Sequence, residues 1–329
     1  MITATAPGRC GIVGNPTDMY GGSVISISTV ERATCRITPS NILRVLCGGE
    51  EAIISSVDEL MMHGDKLDIA RAVLAWYKDR FRDITGTIEL TTDIPMQAGM
   101  AGSTSLVVAT LGAVNRLLQI EMSPWQIAES ARKIENRIMG VMCGFQDQHM
   151  AVFGGLNYMD FAGKEQLQVS EDELFATIEP LADYVQPLGL IAAHTGVAHH
   201  SGTVHTSPRQ RWLNGDRDVI GGYKQIAGLA RKAKKALLNG DLALLGEYMN
   251  ANHAITASLG GSGEANERLI SAAREAGALG AKLAGAGGGG TILVLATNRD
   301  EMIAALKAAG SDRIMFPTPS PGLKIEVSE

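Results

Sequence analysis

Residues Thr87-Ile88-Glu89-Leu90-Thr91 alternate apolar and polar side chains, a period of two that predicts a strand. Pro95 ends the ladder, and Gly99, Ala101 and Gly102 make a loop with almost no side-chain bulk. The period then changes. From Ser103 the apolar positions Val107, Leu111, Val114 and Leu118 recur at 4-3-4 spacing, which predicts a helix. The same reading predicts strands over 23–37 and 41–47, a helix over 66–80, and a second helix over 123–139. Ser123-Pro124 supplies the N-cap and first helical residue of that second helix. Residues 152–161, with Gly154-Gly155 inside, read as a glycine-kinked strand.

The acidic, aperiodic stretch 163–183 separates two domains, 1–172 and 173–329. Beyond it the pattern predicts a strand over 188–193, helices over 219–238, 242–259 and 265–275, and a strand over 291–296. Ser207-Pro208-Arg209-Gln210 has the form of a capping box. A helix, a strand and a further helix complete the chain, ending in 323–327. Strands and helices mix without regular βα alternation, which points to the α+β class.

Composition narrows the function classes. A chain of 329 residues with 45% hydrophobic and 19% charged residues is a globular protein of one large domain or two. A net charge of −6 argues against a nucleic-acid partner, and the basic run Arg231 to Lys235 reads as a solvated helix face. No apolar stretch approaches the ~20 residues that span a bilayer, so no membrane partner is expected. Cys10, Cys35, Cys47 and Cys143 have neither CxxC nor zinc spacing. With no signal pattern at the N-terminus, free thiols and a cytoplasmic location are expected.

A bare loop feeding a helix start gathers backbone N–H groups at the positive end of a helix dipole, an arrangement that suits a phosphate chain. The hydroxyls of Ser103, Thr104 and Ser105 stand beside it as ligands for phosphate or Mg²⁺. An ordinary capped helix after a tight turn is the alternative. Gly285-x-Gly287-x-x-Gly290 satisfies a dinucleotide fingerprint by letter. A strand follows it and a helix precedes it, the reverse of what that fingerprint requires. It reads instead as a glycine turn packed near the phosphate loop. His194, His199, His200 and His205 have no Cys or carboxylate at ligand spacing and read as a sugar-contacting or plain surface loop.

Three ordered segments resemble the signature motifs of the GHMP small-molecule kinases: 6–22 (APGRCGIVGNPTDMYGG), 94–105 (IPMQAGMAGSTS) and 277–290 (GALGAKLAGAGGGG). Within that superfamily the sugar-1-kinase branch of the glucuronokinases is most similar, through 11–22, 144–161 and 201–216. Galactokinases read Gly-Glu-His-Thr-Asp where this chain reads Gly14-Asn15-Pro16-Thr17-Asp18. Met100-Ala101-Gly102-Ser103 replaces the usual Leu-Gly-Ser-Ser, and Ser103 keeps the second serine.

The resemblance implies an N-terminal domain like ribosomal S5 domain 2, a ferredoxin-like C-terminal domain, and ATP with Mg²⁺ as cofactors. It implies phosphorylation of the anomeric hydroxyl of D-glucuronate, or of another sugar such as galacturonate, arabinose, galactose or a heptose. A catalytically silent sugar sensor is the reading from another class. Asp147 would be the catalytic base and Arg9 its cationic neighbour. Read alone, Arg9–Asp147 is equally a structural ion pair. Ser103 and Glu135 would hold Mg²⁺, although Glu135 alone reads as a surface residue of a charged helix. Pro95, Gly99, Met100, Ala101, Gly102, Ser103, Thr104, Ser105, Gly285 and Gly287 would surround the nucleotide. Asn15, Asp18, Tyr20 and Gly144 would line the sugar pocket. Asp18 is otherwise an Asx turn, and Tyr20 otherwise a packing residue. A uronate carboxylate favours arginine, and Arg209 is the candidate over Arg211, which points elsewhere on the same helix; a solvated helix-face arginine is the alternative for either one. The partner is a small-molecule sugar, and the protein is a monomer or homodimer.

Overall fold

The computed structural model describes residues 1–164, 173–197, 207–285 and 290–328. The first sheet is built on β1 (Ile2–Val13) and β2 (Ser23–Thr38). It adds β3 (Leu43–Cys47), β4 (Glu50–Ile53), β5 (Gly86–Thr92), β6 (Leu156–Asp160), β7 (Thr177–Pro180) and the distant β12 (Lys324–Val327). Its order is β12-β1-β2-β5-β3-β4, with β6 also on β2 and β7 on β6. The length of β2 allows this branching, because residues 33–38 pair with β5 while residues 23–27 pair with β6. Helices α1 (Asp68–Trp76), α2 (Gly102–Leu118), α3 (Pro124–Lys133) and α4 (Gln146–Phe153) pack with this sheet around the main core.

The second sheet contains β8 (Leu190–His194), β9 (Gly280–Leu283), β10 (Thr291–Leu295) and β11 (Arg313–Met315) in the antiparallel order β11-β8-β10-β9. Numbered within the domain this is 4-1-3-2, the order of the split-βαβ, ferredoxin-like arrangement. Helices α5 (Pro208–Leu213), α6 (Arg217–Leu238), α7 (Leu242–Ser258) and α8 (Glu264–Glu275) separate β8 from β9, and α9 (Arg299–Ala308) precedes β11. Residues of α8, α9 and the second sheet, such as Leu269, Ile292 and Leu306, form a core of their own.

Several elements differ from their sequence pattern for identifiable reasons. Sequence patterning misses β1, because Pro7, Gly8 and Gly11 interrupt it; the strand is bulged between Pro7 and Arg9 and again between Gly11 and Val13. The helix expected over 66–80 is shorter, and a 3-10 segment Lys78–Asp83 follows it. The kinked strand expected over 152–161 is a helix end followed by a strand. Gly154 and Gly155 both have positive φ and break α4 from β6, with the Gly154 N–H closing the helix on Met150 O. Among the described residues no helix follows β11; residues 324–327 are β12, paired to β1. The second predicted helix does continue past α3, but as a π turn over Ile134–Ile138. Both β7 and β12, from beyond residue 172, join the first sheet.

Candidate active site

Loop 95–101 connects β5 to α2 through three residues with positive φ, Gln97, Gly99 and Ala101. Ala101 at φ +63 is the N-cap of α2 and offers no side chain to the first turn. Ser105 N–H is the first to find a helical acceptor, Ala101 O at 2.9 Å. The Gly102, Ser103 and Thr104 amides therefore stand at the positive end of a 17-residue helix.

The three hydroxyls of this turn separate. Ser105 donates into the protein, to Pro7 O at 2.7 Å and Ala101 O at 2.8 Å. Thr104 donates to Glu135 Oε1 at 2.7 Å. Ser103 stays half-buried at the helix start. The two described ends of the glycine run, Gly285 and Gly290, lie against the loop, as expected of it. A Cβ on Gly285 would come within 2.7 Å of Gly99 O, and one on Gly290 within 2.5 Å of Ala98 O. Gly287 lies outside the described residues, as do His199, His200 and His205. His194 ends β8 and contacts Gly290 O at 2.5 Å.

Glu135 sits on the π turn after α3 and is only 3% exposed. Such turns often place a functional side chain. Gln148 Nε2 donates to its Oε2 at 2.5 Å. Burial pushes the Glu135 carboxyl up to about 7, against the hydrogen bonds from Thr104 and Gln148. Carboxylate and hydroxyl oxygens are hard ligands of the kind Mg²⁺ takes, and both Glu135 oxygens here accept hydrogen bonds, from Thr104 and Gln148. Among the described residues no group of three or more His, Cys, Asp or Glu side chains forms a cage for a softer metal.

Asp147 stands in the first turn of α4, partly exposed. Arg9 of β1 is buried and holds it through Nε and the terminal nitrogen, each 2.7 Å from Oδ1. The other terminal nitrogen of Arg9 donates to Gly99 O and, at 3.3 Å, to Ala284 O. One guanidinium thus ties the aspartate to the phosphate loop and to the glycine segment. Asp18, in the turn Thr17–Tyr20, accepts from the Phe145 and Gln146 amides at 2.9 and 3.0 Å and caps the start of α4. It is not an Asx turn. Burial raises the Asp18 carboxyl from its ordinary value, with those amides opposing and nearby Asp147 adding to the rise. Gly144 leaves room for it, since a Cβ there would stand 2.0 Å from Asp18 Oδ2.

Tyr20 packs against Trp212 and Tyr223, ring centroids 5.0 and 4.6 Å away. Arg209 lies near enough to Tyr20 to act on its phenol electrostatically. Its Nε is buried without a hydrogen-bond partner. Arg211 instead binds Asp216 at 2.8 Å and Leu259 O at 3.2 Å. Asn15 is turned inward: its Nδ2 donates to Gly285 O at 2.5 Å and its Oδ1 accepts from Lys282 at 2.8 Å. Lys282, Gln148, Trp212 and Tyr223 were not singled out from sequence. A lone charge in the apolar strand β9 is the only signal that marks Lys282.

The loop at the start of α2, the buried Glu135 carboxylate and the Arg9–Asp147 pair come together here, an arrangement of the kind phosphoryl transfer needs. Residues 68–155 match the GHMP kinases N-terminal domain and residues 233–312 the GHMP kinases C-terminal domain. The chain is similar to mevalonate kinase of Pyrococcus horikoshii, at 34% identity over 73% of this chain and 68% of that protein. It is similar to glucuronokinase 1 of Arabidopsis thaliana, at 30% identity over 85% of this chain and 81% of that protein. The structure overlays on D-glycero-D-manno-heptose 1-phosphate kinase from Bacteroides thetaiotaomicron with a TM-score of 0.74, at 20% identity and full coverage of both chains. The chain belongs to the GHMP kinases and has their two-domain fold. It is a sugar kinase or related kinase of that family, whose members use ATP, generally with Mg²⁺. Among the described residues no helix is long and apolar enough to cross a membrane.

Proposed function

We propose that this protein is an ATP-dependent sugar-1-kinase acting on D-glucuronate. Arg209 carries the reading: a buried guanidinium donor without a partner, beside the Tyr20 wall, asks for an anion. The similarity to glucuronokinase 1 of Arabidopsis thaliana, 30% identity over 85% of this chain, supports a sugar substrate. In the reaction, the Asp147 carboxylate takes the proton of the anomeric hydroxyl. That oxygen forms a bond to the γ-phosphorus, the bond to the β–γ bridging oxygen breaks, and ADP leaves. Arg9 orients Asp147 and adds positive charge beside the loop. The amides of residues 102–104 receive the phosphates, and Asp18 accepts from sugar hydroxyls. Ser103 and Glu135 are the residues that would hold Mg²⁺, which supplies charge neutralisation on the phosphates when bound. Four unpaired thiols fit a reducing compartment, the cytoplasm.

Mevalonate is the second reading, because it also presents a carboxylate and a primary hydroxyl, and because a mevalonate kinase relative is 34% identical. ADP release with Mg-ATP across glucuronate, galacturonate, galactose, arabinose, a heptose and mevalonate separates the two. Turnover on glucuronate alone is expected, and turnover on mevalonate or a neutral sugar alone discards the glucuronate assignment. Arg209→Met should raise the KM for glucuronate by about 10- to 100-fold, the scale of a charge-assisted hydrogen bond. An unchanged KM would show that Arg209 does not read the carboxylate. ATP bound without turnover on any acceptor would favour a sugar sensor.

A further inference from the structure

Lys282 is 1% exposed, and the site as described gives it no part in the chemistry. Its ammonium donates to Asn15 Oδ1 at 2.8 Å, to Gly11 O at 3.1 Å and to Leu283 O at 2.5 Å. All three protons are used, and none goes to a carboxylate. A buried cation held only by neutral oxygens is costly and calls for a specific role.

Its neighbours suggest that role. The consecutive carbonyls of Leu283, Ala284 and Gly285 are each taken in turn: the first by Lys282, the second by Arg9 and the Gly11 amide, the third by Asn15. Gly285 then lies directly against Gly99 of the phosphate loop. These carbonyls would otherwise place negative dipoles beside a polyanion. Asn252 of α7 completes the lock, accepting from Gly14 N at 2.8 Å and donating to Asn15 O at 3.2 Å.

We propose that Lys282 is a positioning residue for the nucleotide: it locks the 11–15 segment to β9 and fixes the floor of the phosphate loop through Asn15 and Gly285. The proposal rests on reading that loop as the nucleotide site. Its signature is selectivity. Loss of the lock weakens the phosphate side of the cleft and leaves the acceptor side, built from Asp18, Tyr20 and Arg209, as it was.

Charge supplies an independent handle. Burial pushes the ammonium down to about 7, and Arg9 adds to the depression. The other titratable groups facing it are Cys10 on β1, whose thiol burial pushes up to about 12, and His253 on α7, which burial lowers from its ordinary value. Phosphates above Gly99 and Gly285 favour the charged ammonium, so the lock tightens with nucleotide bound and loosens as pH rises above 7.

The test measures the Kd of Mg-ADP calorimetrically, with kcat and both KM values, for the unaltered protein, Lys282→Met and Lys282→Gln. Lys282→Met is expected to raise the Kd and the KM for ATP by about tenfold or more, the scale of one lost charge-assisted hydrogen bond. The acceptor KM should stay within about threefold, and the Kd ratio of variant to unaltered protein should shrink between pH 6 and 8.5. If Lys282→Met does not fold, Lys282→Gln, which keeps an amide donor, must show the same selective loss. A Kd unchanged in a folded variant, or an equal rise in both KM values with no pH dependence of the ratio, overturns the lock. Failure of the unaltered protein to bind Mg-ADP removes the nucleotide reading, and the lock with it.

Discussion

Asp147 and Glu135 lie on opposite sides of the small-residue turn around Gly144, and their surroundings suit them to different work. Asp147 is partly open and gripped by Arg9, whereas Glu135 is buried and held by Thr104 and Gln148. Asp147→Asn should lower kcat by about 10²- to 10⁴-fold, the usual contribution of a positioned base, with little change in either KM. Steady-state kinetics with a coupled ADP assay checks this, and unaltered turnover would end its assignment as base. Glu135 has a folded pKa raised to about 7 from 4.5. Its protonated form is favoured by the fold, so this contribution to stability is present below the unfolded value and lost as pH rises through 7. Mg²⁺ held by Glu135, as proposed, would compete with that proton. The half-saturating Mg²⁺ concentration is therefore expected to be about tenfold higher at pH 6 than at pH 8, in proportion to the ionised fraction. A Mg²⁺ requirement flat across that range would remove Glu135 from the metal. Thr104, which meets Glu135, could not be told from Ser103 by sequence, because successive hydroxyls on a helix start differ only in the direction they point.

Among the elements, the site depends on places where a missing side chain lets another group come close. Gly290, at φ +93, allows the glycine run to reach Ala98, and Gly144 allows Asp18 to reach the start of α4. Gly290→Ala combines a strained φ with a backbone clash and should cost about 1–3 kcal/mol of stability, while raising the KM for ATP. Thermal melts and kinetics test both parts. Gly144→Ala should instead raise the acceptor KM, because the new methyl displaces Asp18. Regular elements were legible where a period ran unbroken, as in α2, β5 and the helices of the second domain. They were illegible where glycine and proline carried the chain, as in β1, or where a glycine pair turned α4 into β6. The π turn that carries Glu135 has no sequence period of its own, so the pattern there read as one continuous helix.

At the scale of the molecule, the site draws on both sheets: Arg9, Asp18 and Asp147 from the first domain, and the 283–285 carbonyls and Arg209 from beyond it. A ligand that bridges them binds only the folded chain. Mg-ADP at 100 times its Kd should stabilise the protein by about 2.7 kcal/mol, visible as a raised melting temperature. Asp147→Asn should keep that shift while losing turnover, which separates binding from chemistry.

The linear chain was enough for the α+β class and the kinase resemblance, because periodicity and motif order are properties of the sequence. Packing of the chain set that Thr104 meets Glu135, that Arg211 pairs with Asp216 while Arg209 Nε has no partner, and that Asn15 and Lys282 face inward. The inward contacts of Asn15, Lys282 and Arg9 join residues about 270 apart in sequence, as when Lys282 meets Gly11 and Arg9 meets Ala284. No local spacing encodes such contacts; packing of the two sheets creates them.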